Sequence, residues 1–253
     1  MRIERSNRDV MTNPTPILFS WSGGKDSALA LHALLQQPEE WEVVALLTSV
    51  SDEYARISHH GVREELLDRQ AEAIGLPLDK LRLPFKGGPC TNSDYEALVG
   101  DKLAGYVERG VLHVGHGDIF LADLRAYREK NLAKLGMTGV FPIWQRDTRE
   151  LVESFVALGF RARLCCVEGA KLDGSFVGRE LDLSLVADLP AGVDPCGENG
   201  EYHSFVYDGP IFQWPVEFET GITVCRDNRH YIDLIPANST DPQTALAPSI
   251  PPV

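Results

Sequence analysis

The chain is short of positive charge. It carries 24 Lys and Arg against 37 Asp and Glu, a formal net charge of −13. Binding to DNA or RNA by phosphate neutralisation needs a basic stripe. The cationic clusters here are short, Arg125, Arg128 and Lys130 being an example, so nucleic acid is not an expected partner. The five cysteines, at positions 90, 165, 166, 196 and 225, form no CxxC pair. That removes the zinc-ribbon and thioredoxin-like patterns and leaves buried thiols of a reducing compartment. No run approaches the roughly 20 apolar residues that cross a bilayer, so no membrane partner is expected. The N-terminal arginines precede no apolar signal core, and the expectation is a cytoplasmic protein.

What is present is ordinary globular composition, 43% hydrophobic and 24% charged over 253 residues, enough for one large or two modest domains. Residues 1–14 and 237–253 read as flexible tails, the second holding Pro242, Pro248, Pro251 and Pro252. Between them strands and helices alternate. Strands are expected at Ile17–Trp21, Val43–Thr48, Leu81–Pro84, Val111–Gly115 and Gly139–Trp144. Helices are expected from Asp26 to Gln37, Gly61 to Ile74, Ser93 to Arg109 (Ser93 as N-cap, Glu96 three residues on) and Ala122 to Leu135. This rhythm predicts an α/β fold whose five-stranded parallel sheet is doubly wound, with ligand beyond the carboxyl ends of its strands. After it come a helix at 147–158, a strand at 161–167 that turns Cys165 and Cys166 to opposite faces, and a helix near 179–187. Gly-rich loops and short strands around 205–207, 222–224 and 231–233 complete a smaller α+β domain. The expected division is 15–146 and 147–236.

The strongest chemical signal is Ser22-Gly23-Gly24-Lys25-Asp26-Ser27 between the first strand and first helix. Two glycines allow a tight turn that brings N–H groups against an anion at the positive end of the helix. Ser22 and Ser27 add hydroxyls and Lys25 a charge. A Walker A loop is excluded, because Phe19 stands where its first glycine belongs and Asp26 follows Lys25; Gly-x-Gly-x-x-Gly is absent too. The Ser-Gly-Gly-x-Asp-Ser pattern resembles the N-type ATP pyrophosphatases, the PP-loop enzymes. That resemblance implies an adenine nucleotide alpha hydrolase-like fold, ATP cleaved between its α and β phosphates, and Mg²⁺. Asp26, the carboxylate of the loop, is then the candidate metal ligand. Ser20, Thr48, Gly115 and Gly117 join the loop as candidate nucleotide contacts.

Two further segments carry polar groups at expected loop positions. Gly115-His116-Gly117-Asp118-Ile119 leaves the fourth strand, with Asp118 a candidate for ribose, metal or an attacking amine. Arg125 and Arg128 follow on one helix face, suited either to an anion or to solvent. Ser49 to Tyr54 should border the adenosine, and Ser58-His59-His60-Gly61 with Arg63 is suited to a phosphate or to a helix-leading loop. Gly197-Glu198-Asn199-Gly200-Glu201-Tyr202-His203-Ser204-Phe205-Val206 puts two carboxylates and a histidine between glycines; Cys196 with His203 lacks the further ligands of a metal site. Together with the loop and Asp208-Gly209-Pro210-Ile211-Phe212, these segments resemble the diphthine–ammonia ligase family across about 15–215. The resemblance implies amidation of a carboxylate with ATP and ammonia, leaving AMP and pyrophosphate, with Lys25, Asp26, Asp118, Glu198, Glu201 and His203 as candidate catalytic residues. Ser204 stands where the family motif has Thr, and 58–63 resemble bacterial members, so the acceptor is diphthine-like or another carboxylate. No glutaminase arrangement is evident, so free ammonia or a partner supplies nitrogen; a homodimer is allowed. Two alternatives stay open: a nucleotide sensor without turnover, and a tRNA-modifying PP-loop enzyme, which the charge and missing CxxC pairs oppose.

Overall fold

A computed structural model describes residues 13–51, 56–57, 61–84 and 91–238. The expectations for His59, His60, Asp52 to Tyr54, Cys90 and most of the two tails lie outside those residues. The strands are β1 (Thr15–Ser20), β2 (Trp41–Ser51), β3 (Arg56–Ile57), β4 (Leu78–Leu83), β5 (His113–Gly115), β6 (Thr138–Val140), β7 (Arg161–Glu168), β8 (Tyr202–Asp208), β9 (Phe218–Arg226) and β10 (Arg229–Pro236). The helices are α1 (Lys25–Leu35), α2 (Glu64–Ile74), α3 (Asn92–Val107), α4 (Ala122–Ala133), α5 (Thr148–Ala157) and α6 (Leu183–Asp188).

Five strands run parallel in the order β4-β2-β1-β5-β6, and the two-residue β3 adds antiparallel to the end of β2. The order of strands reverses at β1, with β2 on one side and β5 on the other. A crevice opens above such a point because the loops leaving the two strands diverge. β1 is buried on both faces. Ile17 and Phe19 join a core containing buried residues of α1, α2 and α5, whereas Leu18 joins one with Leu103, Tyr106 and Leu132 from α3 and α4. This is the period-two consequence of covering a parallel sheet twice. A second, antiparallel sheet has the order β8-β7-β10-β9. Its residues Leu164, Phe205, Val206 and Leu234 continue the α1/α2/α5 core, while Cys166 and Tyr231 pack on its other face. Cys165 and Cys166 therefore do point opposite ways.

Several boundaries differ from expectation for local reasons. α3 is capped by Thr91, whose hydroxyl accepts from the Asp94 amide at 3.2 Å, and not by Ser93. Strand pairing of β6 ends at Val140, after which Phe141–Trp144 closes a turn instead of extending the sheet. The helix expected from 179 starts at Leu183, where the Asp182 carboxylate accepts from the Leu185 amide. α5 is capped as its sequence suggests, Asp147 accepting from the Glu150 amide at 3.0 Å.

One buried polar residue joins the two sheets. The stripe of α2 that faces the core reads Leu66, Leu67, Gln70, Ala71, Ala73 and Ile74, and Gln70 is fully buried. Its Oε1 accepts from Trp21 Nε1 at 3.0 Å, and its Nε2 donates to the carbonyls of Gly23 and Val206. Replacing Gln70 with Leu removes all three bonds and leaves buried polar partners behind, each costing about 1–3 kcal/mol. The expected loss of stability is about 3 kcal/mol by urea denaturation; a loss below about 1 kcal/mol would mean that the amide is incidental.

Candidate active site

Strand β1 ends at Ser20, and the chain turns through Gly23 at φ +76° before α1 begins at Lys25. A side chain at Gly23 would sit 2.7 Å from Gln70 Oε1, so both the backbone angle and the space require glycine. Gly24 is the N-cap of α1 and makes no side-chain cap hydrogen bond, so the positive end of the helix has no carboxylate or hydroxyl of its own cap residue over it. Around the turn Ser22 Oγ donates to Ser27 Oγ at 3.1 Å and receives the Gly24 amide at 3.3 Å, and Ser27 Oγ donates to the Gly24 carbonyl at 2.8 Å. The second sheet reaches the same turn. The Val206 amide donates to the Gly23 carbonyl at 2.9 Å, and the Lys25 amide donates to Ser204 Oγ at 3.1 Å.

The turn opens on a cavity of about 1080 Å³, lined by residues of β1, β2, α1, α3, α4, the loop after β5 and the 197–204 segment. Ser20, Ser22, Gly24, Lys25, Asp26, Thr48, Asp118, Glu198 and His203 all face it. The structure thus brings together most of the residues singled out in the sequence, from segments nearly 180 positions apart. Gly23, Ser27, Gly115, Gly117 and Glu201 are not among the lining residues. Gly117 lies flat against the first turn of α1, where an added Cβ would be 2.8 Å from the Asp26 carbonyl carbon and the Ser27 amide nitrogen. Gly115 faces the Phe19 ring in the same way. Glu201, 3% exposed, braces its own turn: Oε1 accepts from the Asp194 amide and from Asn199 Nδ2, both at 3.2 Å.

The polar groups of the cavity differ sharply in charge. Lys25 is 3% exposed, its Nζ 2.8 Å from Asp26 Oδ2 and over the Tyr202 ring. Burial alone would lower the ammonium pKa, but the Asp26 carboxylate beside it holds it above the usual lysine range. Burial pushes the Asp26 carboxyl up against the pull of Lys25. Glu198 is pushed up to about 7, first by burial and then by the nearby Asp26 charge, although the Ile119 amide donates to its Oε1 at 2.9 Å. Asp118 receives Arg128 through both carboxylate oxygens, at 2.7 and 3.2 Å. Arg125, expected beside it, instead packs between the Phe141 and Trp144 rings.

Sequence reasoning passed over Gln70, Asp194 and the cavity position of His116, whereas Arg128, read as suited to an anion or to solvent, lines the cavity paired with Asp118. Gln70 carried a signal, being the one long polar side chain on the apolar stripe of α2. Asp194 carried none; its Oδ2 accepts the Cys196 and Glu198 amides and so shapes the turn that presents Glu198. Among the described residues no three His, Cys, Asp or Glu side chains converge on a metal position. Asp26 Oδ1 is buried without a hydrogen-bond partner. One protein oxygen of this kind suits a Mg²⁺ that arrives on phosphates and keeps waters, not a metal caged by protein.

A parallel α/β sheet with a glycine turn at its switch point is the arrangement of a nucleotide-phosphate-binding protein, and the Ser22-Gly23-Gly24-Lys25-Asp26-Ser27 pattern on that turn resembles the PP-loop class. Family models sharpen this. The diphthamide synthase N-terminal domain matches residues 16–138 and the diphthamide synthase C-terminal domain residues 147–235. The chain belongs to that family. It is 27% identical over 223 residues to diphthine–ammonia ligase of Rattus norvegicus, covering 80% of this chain and 82% of that protein. For the Homo sapiens enzyme of that name the figures are 27% over 212 residues, 76% and 78%. For that of Schizosaccharomyces pombe they are 29% over 213 residues and 76%, but the match spans only 34% of the longer yeast protein.

Two outcomes follow from the geometry. Gly117→Ala forces a methyl into the backbone of the α1 first turn and should weaken ATP binding at least tenfold by calorimetry; unchanged affinity would separate this contact from the phosphate turn. Glu198 offers a test in pH. A carboxyl raised from 4.5 to about 7 keeps its proton in the folded protein after the unfolded chain has lost it. The contribution of Glu198 to stability therefore falls as pH rises from 4.5 through 7, and Glu198→Gln should remove that contribution, seen as the difference between the two proteins in denaturation series without nucleotide.

Proposed function

We propose that this protein is an ATP-dependent ligase that adenylates a carboxylate and transfers ammonia to it. The observation that carries the reading is the meeting in one cavity of the open phosphate turn, Ser22 to Asp26, with the Glu198–Ser204 segment of the second sheet. A phosphate turn alone would bind nucleotide; a second polar segment fixed against it supplies groups for the acceptor and the amine. The curated relatives are named diphthine–ammonia ligase, and their name supports an amide-forming reaction with ammonia.

In the proposed sequence an acceptor carboxylate oxygen attacks the α-phosphorus of ATP, the bond to the α,β-bridging oxygen breaks, and pyrophosphate leaves. The Gly24 end of α1 and the Lys25 ammonium receive that pyrophosphate, where a fixed positive end and a buried charge act without water to reorganise. Mg²⁺, when bound, adds charge neutralisation at the phosphates, and Asp26 Oδ1 is the protein oxygen placed to hold it. Ser20 and Thr48, at the carboxyl edge, border the nucleoside; Thr48 Oγ1 is buried in the cavity wall without a protein partner. Ammonia then attacks the acyl carbon, the bond to AMP breaks, and the amine sheds a proton. Glu198, titrating near 7, is the group suited to take it. His203 lines the same wall, and Asp118 fixes Arg128 there. Cys165, Cys166 and Cys196 are buried free thiols, as a reducing compartment allows, which supports a site of action in the cytoplasm.

The test is a screen of carboxylate metabolites, diphthine included, with ATP, Mg²⁺ and ammonium, following AMP and pyrophosphate. Acceptor-dependent AMP is expected, and Asp26→Asn should lower its rate about a hundredfold while ATP still binds. ATP binding with no AMP for any acceptor would favour a sensor instead.

A further inference from the structure

Glu198 is held at both ends. Its side-chain Oε1 accepts from the Ile119 amide at 2.9 Å, which ties it to the loop after β5. Its own amide donates to Asp194 Oδ2 at 2.9 Å, and the same oxygen accepts from the Cys196 amide at 3.1 Å. Between them the chain reverses at Gly197, whose amide donates to the Asp194 carbonyl and whose φ is +67°. A side chain at Gly197 would sit 2.8 Å from the Tyr202 ring, so the reversal needs glycine. Asp194 is fixed in turn, because its amide donates to Glu201 Oε1. A short acidic side chain closes such turns on its own backbone, and its ionised form makes bonds roughly twice as strong as neutral ones. Two other bonds in the segment stop short of Glu198: the Tyr202 hydroxyl donates to the Pro195 carbonyl, and Cys196 Sγ donates to the Thr148 carbonyl.

What the two tethers leave is one oxygen. Glu198 Oε2 accepts no hydrogen bond among the described residues, and unlike Asp26 Oδ1 it is not sealed from solvent. Glu198 lines the cavity, and Oε2 is its oxygen left for a bound group. A base must have its accepting atom within hydrogen-bond reach of the proton it takes, and a misplacement of about 1 Å can cost about a hundredfold in rate. The bond from its amide to Asp194 therefore bears on where Oε2 stands.

We propose that Asp194 is the positioning residue of this site: by holding the Cys196 and Glu198 amides it sets the Glu198 carboxylate against Ile119 and aims Oε2 at the amine. This rests on the ligase reading above. When ammonia attacks the acyl carbon and the bond to AMP breaks, the N–H electron pair stays on nitrogen and the proton passes to Oε2. Glu201 acts one step further back, through the Asp194 amide, which gives that buried carboxylate a part without contact with the reacting atoms.

The ¹H–¹⁵N amide signal of Ile119 in the full-length protein reports the contact, with Glu198→Ala marking its position when the bond is gone. Asp194→Asn keeps an acceptor oxygen for both amides and should leave the signal where the unmodified protein has it. Asp194→Ala removes the acceptor and should move the signal to its Glu198→Ala position. Should Asp194→Ala fold poorly, Asp194→Glu serves instead, since its added methylene carries the oxygen out of the tight turn while keeping the charge. An unmoved Ile119 signal in the Ala or Glu variant overturns the proposal. A moved signal in Asp194→Asn also overturns it, because charge and not the hydrogen bonds would then be acting. With a carboxylate that yields AMP, Asp194→Glu should lower the ammonium-dependent rate at least about tenfold while moving ATP–pyrophosphate exchange, which reads adenylation without the amine, less than about twofold. Equal loss in both overturns the proposal, since the side chain would then support the cavity as a whole. Failure of the ligase reading would look different: Ile119 signals as expected, but no AMP from any acceptor with ammonium.

Discussion

The site depends on the way the second sheet holds the phosphate turn. Gly23 has its carbonyl taken by the Val206 amide and by Gln70 Nε2, and the Lys25 amide is taken by Ser204 Oγ. Two strands of distant sequence therefore share the hydrogen bonds of a single tight turn. A glycine turn is otherwise free to adopt many shapes, and fixing it has an entropic cost. Here that cost is met inside the core, where the bonds are shielded from water and each broken partner would be expensive. The left-handed φ of Gly23, the buried amide on α2 and the hydroxyl at 204 are three parts of one constraint. It also accounts for the hydroxyl at Ser204: an oxygen is needed to meet the first amide of α1.

Around that turn the cavity sorts charge. Lys25 and Asp26 form a buried pair in which each offsets the other's desolvation, an arrangement that is tolerable only with good geometry. Burial first, and then the Asp26 charge, keep the Glu198 proton to higher pH. Burial, and after it the Arg128 charge, hold the His116 ring well below the usual histidine range. The unmet polar atoms of the cavity wall, Asp26 Oδ1, Thr48 Oγ1 and both His116 nitrogens, are spread over α1, β2 and the loop after β5. These are segments from both sides of the switch point.

Much of the architecture was legible because it follows from local rules. The apolar runs at 17–21 and 43–48 and the amphipathic stretch at 61–74 gave strands and helices at nearly the observed places, and the alternation of the two gave a parallel sheet. Misplaced ends arose where one side chain decided the outcome: Thr91 and not Ser93 caps α3, and Asp182 sets the start of α6. The phosphate turn was legible for a stronger reason. Its residues are consecutive, and two glycines between a strand and a helix serve few purposes other than admitting an anion to the helix end.

The sequence by itself determined the doubly wound sheet, the phosphate turn, the family resemblance and the set of polar residues near them. Those depend on spacing along the chain. Only the tertiary structure decided what each polar residue does. Ser27 and Glu201 look like ligands in the sequence, but the Ser27 hydroxyl and Glu201 Oε1 are bonded inside their own turns, and Gly117 is a packing surface for α1. Gln70 looks like an ordinary helix residue but ties two sheets together. Which partner satisfies a hydrogen-bonding group depends on what lies within about 3 Å of it, and contacts between β8, α2 and the turn after β1 are made only once both sheets have closed on one core.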